Sequence, residues 1–203
     1  MEVPDALRTR RMVRSFAATP LDRSLTVMLA TNALRAPTAG NARGVSLVVL
    51  DDPALVETYW ELATDADWRA TSSRFPGLSR APVAVLICSH HADYLVRSRA
   101  QDQATSGLGQ GADAWPVPYW HGDAGAATFA LLLGATSAEI GACFLGAFRG
   151  RDEVTARFGG ETTASWFGTV LLGHPDGMDH RSRSLDRPPP VRPRLVVNPP
   201  GSD

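Results

Sequence analysis

The order of apolar and polar positions predicts alternating helices and strands in the first half of the chain. Between a start signal at Thr19–Asp22 and a stop at Pro37, apolar residues recur at the spacing of one helix face; these are Leu25, Met28, Leu29 and Ala33. The runs VSLVVL (45–50) and APVAVLICS (81–89) predict buried strands. Between these runs, the sequence after Asp51-Asp52-Pro53 predicts a second helix over residues 54–63.

In the second half, residues 98–117 lack periodicity and are rich in Gly, Gln and Asp, which is typical of a mobile excursion or lid. A small-residue helix follows over 123–139, with Asp123 as its N-cap and Gly141 as its left-handed stop. A charged helix (151–158) and the apolar run SWFGTVLLGHP complete the pattern. We predict one domain over residues 1–187 and a proline-rich tail over 188–203 that either lies along a partner subunit or is frayed.

Composition narrows the possible classes of protein. The 203-residue chain is 44% hydrophobic and has a formal net charge of −1, which argues against a nucleic-acid partner. The N-terminus lacks a signal-type apolar stretch, and the longest apolar segment (124–135) is too short to span a bilayer. We therefore expect a soluble, cytoplasmic protein without a membrane partner.

All 20 basic residues are arginine. The lack of lysine excludes Schiff-base chemistry and a phosphate loop of the GK[ST] type. Cys88 and Cys143 lie inside apolar runs and are expected to be buried, with neither disulfide nor metal-ligand spacing. No catalytic triad is apparent either, so no side chain is assigned a catalytic role.

The segment RRMVRSF brings Arg10, Arg11 and Arg14 within five residues of one another. Such a cluster repels itself unless an anion compensates it, which indicates a bound phosphate or an acidic surface. The alternative is a solvated basic face on the first helix.

Later motifs favour the phosphate. The Arg-rich start is followed by Pro37-Thr38-x-x-Asn41, a D-x-G-x-A segment at Asp123, the G-x-x-x-x-G segment 141–146 and LGHP at 172–175. In this order they resemble the nitroreductase family of flavin mononucleotide (FMN) enzymes, over roughly residues 8 to 190. The stretch WPVPYWHGDAG is similar to an actinobacterial branch of that family.

The resemblance implies an α+β fold in which helices wrap a mixed, mainly antiparallel central sheet. It also implies an intertwined homodimer with FMN in each of two interface clefts. NAD(P)H would donate a hydride to the flavin, and a nitroaromatic, quinone or similar small acceptor would then take the electrons in ping-pong order. Two alternatives stay open: an FMN-dependent dehydrogenase or oxidase of a biosynthetic intermediate, and a non-catalytic relative that binds a flavin or another ligand.

For the phosphate, the resemblance implies a clamp by Arg10 and Arg14, with Arg11 either joining them or reaching the pyrimidine edge of the ring. Arg183, in the late basic segment 180–187, would meet the same phosphate unless that segment is a charged surface loop. Met12 stands where the family usually carries serine, which removes one hydroxyl from the phosphate shell.

Three further segments complete the predicted site. Pro37, Thr38, Ala39 and Asn41 would contact the flavin, unless 37–44 is only a helix-stop loop. Arg43 stands where glutamine is common, and its charge near O2 and N1 would raise the reduction potential of the flavin. Backbone N–H groups near Leu145 and Gly146 would face N5 and O4. For a planar substrate the sequence offers Trp115, Tyr119 and Trp120, which could equally form a packed corner.

Overall fold

A computed structural model describes residues 1–71, 75–159, 164–179 and 186–187. Within these residues it contains seven α-helices: α1 (Val3–Thr9), α2 (Arg23–Ala33), α3 (Pro53–Ala63), α4 (Ala66–Thr71), α5 (His91–Ser98), α6 (Tyr119–Ser137) and α7 (Arg151–Phe158). Four strands form the sheet: β1 (Val45–Leu50), β2 (Val83–His90), β3 (Gly141–Gly146) and β4 (Ala164–Gly173). The predicted tail, residues 188–203, lies outside the described residues.

The strands form one sheet in the order β1-β2-β4-β3, and every pairing within it is antiparallel. The predicted α+β class and antiparallel sheet are therefore confirmed. All eight residues of β2 are buried, as expected for a central strand that is covered on both faces. β1 and β3 are the two edges of this sheet.

Helices cover both faces of the sheet. On one face, α3 and α7 pack over a core that contains Tyr59, Val154 and Trp166. On the other face, α2 and α6 pack over Val85, Ile87 and other buried apolar side chains. The small residues of α6 allow close packing, because a Cβ added at Gly134 would lie 3.2 Å from Leu29 Cδ2.

Several predicted elements match the structure. β1 and α7 have the predicted bounds, and α3 begins one residue earlier, with Asp52 accepting a 2.8 Å hydrogen bond from Ala54 N–H as N-cap. Asp22 caps α2 in the same way through Ser24 N–H. In the excursion 98–117, the structure has 3₁₀ turns between Ala104 and Ala114 and no α-helix after Ser98.

The prediction for α6 was wrong at both ends. The helix begins at Tyr119, so Asp123 lies in its second turn and does not cap it. At the other end, Glu139 adopts the left-handed conformation (φ 60°), whereas Gly141 is already the first residue of β3. The sequence analysis also missed three short helices, α1, α4 and α5.

Candidate functional site

The loop between α2 and β1 carries the first group of predicted site residues. Residues 39–41 form a 3₁₀ turn in which Gly40 (φ 60°) and Asn41 (φ 57°) are left-handed, and Arg43 (φ 57°) follows in the same region. This conformation costs a non-glycine residue about 1–2 kcal/mol. Surrounding contacts must therefore hold the loop in place.

Asp123 provides the central contact of this loop. Its Oδ2 accepts hydrogen bonds from Ala39 N–H at 2.7 Å and from the Tyr94 hydroxyl at 2.8 Å. Burial, together with the hydrogen bond and charge of Asp123, raises the pKa of the Tyr94 phenol, so this hydroxyl keeps its proton and remains a donor. The carboxylate of α6 thus connects the loop to α5.

Two further contacts hold the loop. Thr38 Oγ1 accepts a 3.0 Å hydrogen bond from Arg43 N–H, which closes the turn on itself. Arg97 Nε donates to Gly40 O at 2.8 Å, while its terminal nitrogens form a bidentate pair with Asp102 at 2.8 and 2.6 Å. The excursion that follows α5 therefore supports the loop.

A cavity of about 590 Å³ lies between the loop, the end of α2 and the first half of α6. Its wall includes Arg35, Arg43 and Asp123, so charged groups of both signs face it. Pro37, Thr38 and Asn41 line it as well. The structure thus brings this group of predicted residues together around one cavity of ligand size.

The arginine segment lies at the opposite side of the sheet, along the free edge of β3. Val13 N–H donates to Ala142 O at 2.9 Å, and Phe144 N–H points at Met12 Sδ at 3.4 Å. The side chain of Met12 packs against the cores on both faces of the sheet. The sulfur of Met12 therefore accepts the hydrogen bond from the β3 edge, at the position where serine was expected from the family resemblance.

The backbone of β3 explains which donor faces outwards. In an antiparallel strand, the N–H groups of successive residues point to opposite sides. The N–H of Phe144 points to the free edge of the sheet. The N–H of Gly146, two residues later, therefore points to the same edge, whereas the N–H of Leu145 points to β4. The two predicted donors are thus divided, and Gly146 is the one that could meet a ligand at this edge.

The three clustered arginines have no acidic partners among the described residues, although Arg8, Arg23, Arg80, Arg97 and Arg149 all form ion pairs there. Arg10 is the C-cap of α1, and Arg11 is exposed. Arg14 lies 5.2 Å from the Phe75 ring centroid and donates to Met12 O. These cations are thus available to an anion. Arg183 lies outside the described residues.

Trp115 and Trp120 form part of a packed aromatic corner. The Trp115 ring meets the Tyr94 and Trp120 rings edge-on at 6.0 and 5.9 Å, and its indole N–H donates to Leu108 O. Trp120 is only 9% exposed, whereas Tyr119 is 48% exposed. These contacts give Trp115 and Trp120 a structural role, and the substrate role of the three residues stays a prediction.

Sequence analysis missed Tyr94 and Arg97, and it gave Asp123 a local role. No local signal marks Tyr94, because its importance depends on a hydrogen bond to a residue 29 positions away. The D-x-G-x-A motif identified Asp123 as a residue of interest, but it did not predict the hydrogen bond that Asp123 accepts from Ala39, 84 positions earlier.

The sequence profile of the nitroreductase family matches residues 7–174, so the chain belongs to this family. No curated protein sequence matches it significantly. Across the described residues, no helix has the length and apolar character needed to cross a membrane.

Solved structures share the fold at low sequence identity. The nitroreductase CinD from Lactococcus lactis, solved in complex with nicotinic acid, superposes with a TM-score of 0.71 at 16% identity, covering 97% of this chain and 99% of its own. An FMN-dependent nitroreductase from Clostridium difficile gives 0.65 at 16% identity, covering 96% and 98%. A candidate NADH oxidase from Clostridium acetobutylicum gives 0.62 at 20%, covering 86% and 90%.

Proposed function

We propose that this protein is an FMN-dependent oxidoreductase that passes electrons from NAD(P)H to a small acceptor such as a nitroaromatic compound or a quinone. The observation that carries the proposal is the group of cations Arg10, Arg11 and Arg14, which have no ion-pair partners among the described residues. Their segment runs along the free edge of β3, the edge that the N–H of Gly146 also faces. Membership of the nitroreductase family and its FMN-dependent structural relative support the same cofactor.

The donor set fits the chemistry of FMN. A phosphate dianion needs cationic, bidentate donors, which Arg10 and Arg14 can provide. The ring needs a hydrogen-bond donor near N5 and O4, for which the edge N–H of Gly146 is suited. Arg11 would add charge at the phosphate or reach the pyrimidine edge. The sulfur of Met12 gives this phosphate shell one donor fewer than a serine would.

The arrangement of the two residue groups supports a homodimer. The loop 37–43 leads into β1 at one edge of the sheet, and the arginine segment lies at the β3 edge. Three strand spacings separate these edges, about 14 Å in all. One flavin would contact both groups most directly if each came from a different copy of the chain. Two copies would also cover Val27, Met28 and Phe129, which are 48, 49 and 44% exposed.

A bound FMN would supply the redox chemistry, which is two-electron transfer from NAD(P)H to the acceptor. For a quinone, the hydride of NAD(P)H would bring two electrons and one proton, a second proton would come from water, and the product would leave as the hydroquinone. The protein supplies position and charge. Pro37, Thr38, Ala39 and Asn41 would form the second wall of the flavin site. The guanidinium of Arg43 would stabilise negative charge on the reduced pyrimidine ring and thereby raise the reduction potential.

The first experiment is the visible spectrum of the purified protein, followed by anaerobic addition of NADH or NADPH. We expect an oxidised-flavin spectrum that bleaches with one of the two donors. A bound flavin that neither donor bleaches would favour a dehydrogenase or oxidase of another substrate. A colourless protein that takes up no added FMN would refute the proposal and favour a non-catalytic relative.

Arg14→Gln tests the phosphate assignment against a matched control. One charge-assisted hydrogen bond contributes about 1.5–3 kcal/mol, so FMN affinity should fall about 10- to 100-fold. Arg8→Gln removes a nearby arginine that is already paired with Asp5, and it should leave the affinity unchanged. Flavin fluorescence titration gives both dissociation constants. Equal affinities in the two variants would contradict the role of Arg14.

A further inference from the structure

The arginine segment contacts residues 75–80 as well as the edge of β3. Phe16 N–H donates a 3.2 Å hydrogen bond to Gly77 O, and Phe16 itself is fully buried. Gly77 permits this close approach, because a Cβ at that position would overlap Ser15 Oγ. The backbone that follows the arginine cluster is therefore fixed on two sides.

Arg80 connects this backbone to the chain that follows β4. Its Nε donates to Phe16 O at 3.0 Å, and its Nη2 donates to Ser15 Oγ at 3.1 Å. The same Nη2 forms an ion pair with Asp176 Oδ2. The Ser15 hydroxyl donates to that oxygen as well, at 2.9 Å, which closes a triangle of contacts. We call Ser15, Phe16, Arg80 and Asp176 the Arg80 clamp.

The charges inside the clamp balance each other. Met178 N–H donates to Asp176 Oδ1 at 2.8 Å, and this bond, with the Ser15 hydroxyl and the charge of Arg80, holds the pKa of the Asp176 carboxyl below its usual range. Asp176 is thus ionised at neutral pH and neutralises Arg80. The guanidinium of Arg80 already has three partners, so its contribution to a nearby anion site is position and not charge.

Arg14 is the cation that the clamp positions most directly, because it precedes Ser15 in the chain. Its guanidinium lies 5.2 Å from the Phe75 ring centroid, and it donates to Met12 O. These contacts fix the side chain while the guanidinium keeps further N–H donors for a phosphate. A side chain that is held in place before binding loses less conformational entropy when the ligand arrives.

We infer that Arg80 and Asp176 are positioning residues for the phosphate of the cofactor, which act through Arg14 without touching the ligand. The inference rests on the proposed function, because it needs FMN bound by its phosphate at the arginine segment. In the sequence, Arg183 follows Asp176, so the clamp joins the two chain segments that carry the predicted phosphate arginines. The clamp should therefore affect the binding of FMN but not of riboflavin, which has the same ring and ribityl chain and no phosphate.

Arg80→Ala tests the clamp in a fluorescence titration of the flavin-free, full-length chain with FMN and with riboflavin. We expect the Kd for FMN to rise about three- to tenfold and the Kd for riboflavin to change by less than about twofold. The effect is smaller than that expected for Arg14→Gln, because Arg14 keeps its charge and loses only its fixed position. Arg23→Ala removes the arginine of another surface ion pair, with Asp51, and should change neither constant.

Arg80→Lys is a milder variant that keeps the test decisive if Arg80→Ala does not fold. Lysine retains the ion pair with Asp176 but lacks the Nε–H that donates to Phe16 O. The loss of that one hydrogen bond should raise the Kd for FMN about two- to fivefold and leave the Kd for riboflavin unchanged. Phe75→Leu, which removes the ring beside Arg14, should shift the two constants in the same selective way.

The ratio of the two dissociation constants decides the outcome. A ratio in the Arg80 variants equal to that of wild type would overturn the inference, whether both constants stay unchanged or both rise together, because a general loss of structure weakens both ligands alike. The proposed function fails in a different way: the wild-type protein would bind no flavin, or neither NADH nor NADPH would bleach it. Normal bleaching combined with an unchanged ratio refutes the clamp alone.

Discussion

The hydrogen bonds of Asp123 make the most direct prediction about the site. Replacing Asp123 with alanine removes the shared acceptor of Ala39 N–H and the Tyr94 hydroxyl. Neither donor then has its charged partner, and the left-handed residues of the loop lose their support from α6. We expect the loop to loosen while the sheet remains intact.

The size of the effect follows from these two bonds. Hydrogen bonds to a charged group contribute about 1.5–3 kcal/mol each, and because Asp123 is only partly buried we take the lower end, for about 3 kcal/mol in total. For a chain of this length, that lowers Tm by about 6–12 °C. Asp123→Asn keeps an acceptor oxygen at the same position and should cost only about 1 kcal/mol.

Two assays distinguish local opening of the loop from a loss of stability of the whole protein. Thermal unfolding gives the change in Tm, with Asp113→Ala as an exposed control that should stay within about 0.5 kcal/mol of wild type. Limited trypsin digestion reports on the loop, because cleavage after Arg43 needs residues 38–43 to open. We expect this cleavage to become faster in Asp123→Ala than in the control.

Two unchanged measurements together would contradict a supporting role for the Asp123 carboxylate. If Asp123→Ala unfolded within about 0.5 kcal/mol of wild type and trypsin cut after Arg43 at the same rate, the carboxylate would not hold the loop. A double-mutant cycle with Tyr94→Phe adds a second check. The two substitutions should be non-additive, because they remove the same hydrogen bond.

Three further predictions follow. Burial and then the charge of Arg151 lower the pKa of the His121 imidazole, so protonation below about pH 6.5 favours the unfolded chain and Tm should fall from pH 7 to pH 5. His121→Phe, which can keep the stack on Phe167, should flatten that pH dependence, and an unchanged slope would contradict this origin. Burial raises the pKa of the Cys88 and Cys143 thiols to about 11, so neither should react with Ellman's reagent at pH 8 until guanidinium unfolds the chain; one fast native thiol would disprove this. Met12→Ser should lower stability by about 2 kcal/mol through lost packing but tighten FMN binding in a fluorescence titration, and equal or weaker binding would argue against a phosphate contact at this position.

The elements that sequence analysis predicted well are those with local causes. β1 is a run of β-branched and apolar residues, and α3 has both an aspartate cap and Pro53 in its first turn. The short helices were missed for the opposite reason. α1 has seven residues and depends on packing against α6, with Ala6 buried, because a helix of this length is not stable alone.

The bounds of α6 illustrate how tertiary contacts overrule a local signal. Asp123 has the side chain of a good N-cap, and the residues before it include two prolines. The helix nevertheless begins at Tyr119, because burial of Trp120 in the aromatic corner favours four more helical residues. That extension leaves Asp123 one turn inside the helix, facing Ala39 and Tyr94.

The family, the class of fold and the cluster of arginines could be predicted from the amino-acid sequence, because motifs, hydrophobic periodicity and charge are all local properties of the chain. The position of the loop 37–43 and the arginine segment at opposite edges of the sheet could be seen only in the folded structure. The physical reason is that strand order depends on pairing and core packing between residues distant in sequence. The same distant packing places Trp68 and Phe148 in the wall of one small cavity, which no local pattern predicts.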